Sequence, residues 1–110
     1  MKEIKAFIRP NKVNVIINKL KENGYENITV SLAEGTGRFQ DKEAFVSQKF
    51  SITNSEIAKL EIVTEDEDAN DICNIICELG CTLNPGDGLI YVSNIEKTIR
   101  VKTGLENCKK

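Results

Sequence analysis

A chain of 110 residues is long enough for one domain with one core. Its 40% hydrophobic and 29% charged residues are ordinary for a globular protein, and a net charge of −2 leaves no basic surplus to neutralise a phosphate backbone, so a nucleic-acid binder is not expected. No apolar run approaches the ~20 residues that span a bilayer, and the absence of histidine closes Ser-His and Cys-His catalysis and every His-containing metal site. The start, Met1-Lys2-Glu3-Ile4-Lys5, lacks the apolar stretch of a signal peptide, so a cytoplasmic protein without membrane insertion is expected.

Residues 3–9 alternate, with Ile4, Ala6 and Ile8 on one side and Glu3, Lys5, Phe7 and Arg9 on the other, the pattern of a strand with one buried face. Pro10-Asn11 punctuates the chain, and Asn11 is the predicted cap of a helix whose apolar face is Val13, Ile16, Ile17 and Leu20. Gly24 is its predicted stop. Ile28, Val30 and Leu32 alternate with Thr29, Ser31 and Ala33 in a second strand, and Ala58, Leu60 and Ile62 alternate with Lys59, Glu61 and Val63 in a third. Thr64-Glu65-Asp66-Glu67 has the spacing of a capping box. The helix it predicts carries Ile72, Ile75, Ile76 and Leu79 on one face and ends at Gly80. A fourth strand is predicted from Leu89 to Ile95, then an extended piece over 99–102 and a polar tail over 103–110.

The order β-α-β-β-α-β predicts an α+β, ferredoxin-like single domain over 1–110: a four-stranded antiparallel sheet with both helices on one face. The other sheet face would carry Phe7, Thr29, Ser31 and Lys59. The connection between strands 2 and 3, Gly35 to Ile57, far exceeds the usual length and has no clear period. It mixes charge with Phe39, Phe45 and Phe50, a poor solvent surface and a good contact surface, so it is expected to be a flexible partner-binding loop.

Cys73, Cys77 and Cys81 form C-x3-C-x3-C, one stripe if helical; Cys108 lies in the tail. One reading is a thiolate metal or redox site. The other is that these cysteines pack as small hydrophobes beside the apolar helix face. A fourth ligand is not obvious, which favours packing, and no metal residue is assigned.

Two glycine-bearing turns remain. Gly35-Thr36-Gly37-Arg38 falls where the second strand should end, and Pro85-Gly86-Asp87-Gly88 where the fourth should begin. Glycine admits close approach of a ligand to the backbone, and successive N–H groups in such turns cradle anions. Arg38, Arg100 and Lys102 add cations. No dedicated acidic or nucleophilic partner accompanies them, so the set is suited to gripping a phosphorylated ligand, and an enzyme is not expected.

Met1-Lys2-x-Ile4-Lys5-Ala6-x-Ile8-Arg9-Pro10-x-Lys12 resembles the opening of the P-II nitrogen-regulatory proteins. So do Gly35-x-Gly37-Arg38, Leu60-Glu61-Ile62-Val63, Gly86-Asp87-Gly88-x-Ile90-Tyr91-Val92 and Ile99-Arg100-Val101-Lys102-Thr103-Gly104, in the family's order and spacing. The resemblance implies a signal-transducing homotrimer that binds an adenine nucleotide (ADP, AMP or ATP) as effector in clefts between subunits, with no catalytic cofactor. It implies a long loop, the T-loop, that docks on a membrane transporter or metabolic enzyme. Carried over residue by residue, the cleft would use Thr29, Gly35, Gly37 and Arg38 from one side, and Gly86, Asp87, Gly88, Arg100 and Lys102 for the phosphates. Phe39, Phe45 and Phe50 would be the loop's anchors.

The departures are specific. The family's uridylylation motif, Tyr-[Lys/Arg]-Gly-[Ala/Ser]-x-Tyr, reads Phe45-Val46-Ser47-Gln48-Lys49-Phe50 here, without tyrosine, and a phenyl ring has no hydroxyl to modify. Leu89 replaces the basic residue after Gly-Asp-Gly. Phe39 replaces the glutamine that family members use with 2-oxoglutarate and magnesium, and Ile57 stands near the place of the lysine that meets 2-oxoglutarate. A second reading is a metal- or redox-sensing trimer built on the cysteine stripe, in the manner of the CutA-type copper-tolerance proteins. An acylphosphatase shares the βαββαβ order but needs a phosphate-cradling loop after the first strand, where Arg9-Pro10 stands.

Overall fold

A computed structural model describes residues 1–35, 45–46, 53–82 and 87–104. The elements are β1 (Lys2–Ile8), α1 (Val13–Glu22), β2 (Ile28–Gly35), β3 (Phe45–Val46), β4 (Thr53–Thr64), α2 (Ala69–Gly80) and β5 (Leu89–Asn94). Four strands form an antiparallel sheet in the order β2-β4-β1-β5, and the short β3 pairs with the start of β4. This is the ferredoxin-like arrangement that the alternation and the two helical periods predict.

The register explains the core. Ile4 lies opposite Ile62, Ala6 opposite Leu60 and Ile8 opposite Ala58, so the small and branched residues of β1 and β4 share one face. Ile16 and Leu20 from α1 and Ile72, Ile75 and Ile76 from α2 close over that face, and all are buried. At about 1.5–3 kcal/mol for each large aliphatic side chain, this cluster is the main source of stability. Gly80, at the end of α2, lies beside α1: a Cβ there would make an ordinary contact with Ile16 Cδ1 at 3.5 Å.

The helices cover the middle of the sheet and leave its edges open. Val30 and Leu32 on β2 and Val92 on β5 share the helix-side face, opposite Leu60, Ala58 and Ile4, yet are exposed. The alternation of β2 puts Val30 and Leu32 on one face with Ile28, but of these three only Ile28 packs against the core. The opposite sheet face carries Phe7, Lys59 and Ser31 in one row, as the alternation predicts.

Three local expectations change. Neither helix starts on the predicted cap. A 3-10 turn, Pro10–Lys12, precedes α1 and takes Asn11 inside it; another, Asp66–Asp68, precedes α2. Thr64 is the last residue of β4, opposite Lys2 and buried, so it cannot cap a helix; Asp66 instead receives the N-terminal ammonium at 2.9 Å. The connection predicted over 35–57 is narrower. Gly35 ends β2 opposite Ser55, and β4 already runs from Thr53. Thr53, Asn54, Ser55 and Glu56 are polar in succession, so no alternation of apolar residues marks this part of the ladder.

Candidate ligand-binding site

The best-defined polar cluster lies where β1 ends. Two residues after α2, Thr82 donates both its backbone N–H (2.7 Å) and its hydroxyl to the Asp87 carboxylate. Arg9, directly after β1, donates Nε–H to Asp87 Oδ1 at 3.1 Å, with its side chain only 15% exposed against 29% for Asp87. Partial burial opposes ionisation of Asp87, but the bonds from Thr82 and Arg9 outweigh it and hold the carboxyl below the usual carboxylate range.

Gly88 follows in a left-handed conformation, φ +106°. A Cβ there would stand 1.6 Å from the carbonyl oxygen of Phe7, so only glycine fits. Leu89 then opens β5 opposite Phe7, and Phe7 and Tyr91 meet edge to face at 5.6 Å. Asp87 thus serves the frame. Its carboxylate holds the corner, and its charge would repel a phosphate brought against it.

The other expected residues are dispersed. Gly35 lies at the same end of the sheet, on β2, with φ outside the left-handed region and space for a Cβ, the nearest atom being Ile57 Cγ2 at 3.9 Å. Thr29 sits mid-strand opposite Glu61, exposed. Arg100 and Lys102 are exposed, but not on an extended segment: the amides of Thr103 and Gly104 both bond to the Arg100 carbonyl, and Gly104 closes the turn at φ +73°. The two cations therefore do not project together from a strand. They also leave from the far end of the sheet. The Ile95 amide bonds to the Met1 carbonyl at 3.0 Å, and the Thr98 hydroxyl reaches the Met1 sulfur. Two residues of chain place Arg100 within about 7 Å of Thr98. The seven residues of β1 separate that end from Gly88 by roughly 20 Å. One chain does not bring Arg100 to the Asp87–Gly88 corner. Gly37, Arg38, Gly86, Phe39, Phe50 and Cys108 lie outside the described residues; Phe45 is in β3, opposite Asn54.

Sequence patterning missed Arg9 and Thr82. Arg9 reads as one more outward residue of an alternating strand, and nothing marks Thr82. The cysteine stripe divides: Cys73 packs against the core, its thiol pushed up by burial and then by Cys77, whereas Cys77 and Cys81 are exposed and Cys81 lies beyond the end of α2.

The family described as nitrogen regulatory protein P-II matches residues 1–105. The chain belongs to that family. A P-II protein of Rhizobium meliloti (strain 1021) is 36% identical over 105 residues, covering 94% of each chain. One from Porphyra purpurea is 36% identical over 104 residues, covering 94% of this chain and 93% of its own. The protein named P-II 2 from Methanothermobacter thermautotrophicus is 35% identical over 105, covering 94% and 91%. The P-II match takes in both glycine turns and the Arg100–Gly104 turn, and it makes this chain a P-II-type signal-transduction regulator.

Proposed function

We propose that this P-II protein is a homotrimer that binds an adenine nucleotide (ADP, AMP or ATP) in clefts between subunits and controls a target transporter or enzyme through the segment joining β2 to β4. The supporting observation is the separation of the expected site residues. The Asp87–Gly88 corner and the Arg100–Gly104 turn stand at opposite ends of one sheet, so a ligand touching both must lie between two chains. Joining unlike ends of neighbouring chains is a heterologous contact, which forms a ring when the rotation between neighbours closes, as three-fold symmetry does. The exposed apolar residues at both sheet edges, Val30, Leu32 and Val92, suit subunit packing. Leu89 is exposed and stands where the family pattern has a basic residue, so with one phosphate cation fewer ADP or AMP should bind at least as tightly as ATP.

Light scattering should give a trimer, and calorimetry with AMP, ADP and ATP, each with and without 2-oxoglutarate or bicarbonate, should identify the effector. Arg38→Ala and Arg100→Ala should each weaken binding by about 1–3 kcal/mol, the scale of a charge-assisted hydrogen bond. A stable monomer at micromolar concentration, or unchanged affinity in both variants, defeats the cleft.

A further inference from the structure

Arg9, Thr82 and Asp87 join the ends of three elements, β1, α2 and β5, at one carboxylate. Arg9 stands two residues after Phe7, whose carbonyl the Gly88 backbone abuts. The end of β1 therefore grips the corner at two adjacent points, by a polar contact to Asp87 and a steric one to Gly88. The ion pair is partly buried, and a charge-assisted bond there loses less to solvent screening than one on an open surface.

We propose that Arg9 is a positioning residue: through Asp87 it fixes the Asp87–Gly88 corner in the shape that receives a phosphate-bearing ligand. It also neutralises a carboxylate that would repel that ligand. The identity of the ligand rests on the adenine-nucleotide reading above; the lock itself does not. Thr82 completes the arrangement, since its amide holds Asp87 Oδ2 while its hydroxyl shares Oδ1 with Arg9, which fixes the carboxylate plane. Were Arg9 instead a direct phosphate ligand, its loss would weaken binding whether or not Asp87 were charged. A positioning role makes the two residues interdependent.

The test is calorimetry with ADP on the full chain, together with amide exchange at Thr82 and Gly88. Arg9→Gln should weaken ADP binding about tenfold, the scale of one charge-assisted bond, and speed exchange at both amides. Arg9→Lys, which keeps a charged donor, should recover most of both. In an Asp87→Asn background, Arg9→Gln should add little further loss. Thr82→Val, which removes the hydroxyl bond to Asp87 and keeps the backbone one, supplies the same readout should Arg9→Gln fail to fold. Wild-type affinity in Arg9→Gln, or an equal loss with and without Asp87, overturns the proposal. If the wild-type chain binds no adenine nucleotide, the nucleotide reading falls by itself. Exchange then decides the lock: faster at Gly88 in Arg9→Gln supports it, and unchanged exchange overturns it.

Discussion

At Gly88 a single methyl group decides whether β5 can start where it does. Gly88→Ala would press Cβ into the Phe7 carbonyl and hold a left-handed φ that alanine disfavours. Strain and overpacking together predict a loss of about 2–4 kcal/mol in urea unfolding. Gly35→Ala meets neither obstacle and should change stability by less than about 1 kcal/mol. A loss at Gly35 as large as that at Gly88 would show that the two turns are built alike. Asp87 offers a pH test. Its unfolded carboxyl titrates near 3.9, and its folded one lower. The lock therefore contributes fully above about pH 4, and the contribution disappears as pH falls through the folded value. Asp66, lowered by its bond to the N-terminal ammonium, titrates in the same region. The informative quantity is thus the stability gap between wild type and Asp87→Asn, which should narrow as pH drops from about 5 to 2. A constant gap would mean that Asp87 is not held by charge.

Among the elements, what the sequence made legible follows burial. β1, the second half of β4 and the inner faces of both helices carry clean periods because they face one core, and all fell where those periods put them. The ends did not. Asn11 and Thr64 have the chemistry of caps, but each helix opens through a 3-10 turn, a choice made by the path from strand to helix and not by any one side chain. Arg100 and Lys102 alternate with apolar Ile99 and Val101, as a strand would, yet the chain turns there because Gly104 admits the left-handed closure. The site was half legible: its glycines announce themselves, whereas the Arg9–Asp87–Thr82 lock joins residues far apart in sequence, which no local pattern encodes. The connection from Gly35 to Thr53 carries the regulatory claim. It begins at the proposed ligand's edge, so nucleotide held there should restrain its first residues and shift its population of conformers. Hydrogen exchange over residues 38–56 is expected to slow with ADP, and a variant lacking residues 39–52 should lose its partner in pull-downs. Identical exchange in both states, with capture intact after deletion, would remove the loop from signalling. Uridylylation should not control it, since Phe45 and Phe50 offer no hydroxyl.

For the whole molecule, the roughly 20 Å between the Asp87–Gly88 corner and the Arg100–Gly104 turn has a genetic consequence. Each proposed cleft draws on two chains, so two defective proteins can repair one another. A chain carrying Arg9→Gln keeps its Arg100 turn intact; one carrying Arg100→Ala keeps its corner intact. Alone, each forms rings in which every cleft is damaged. Co-expressed, they assemble mixed rings in which one cleft pairs the sound corner of one chain with the sound turn of the other. Calorimetry of the mixture should recover a fraction of sites with wild-type affinity, and a double mutant mixed with either single mutant should not. Absence of recovery in verified mixed trimers would place both halves of the site on one chain.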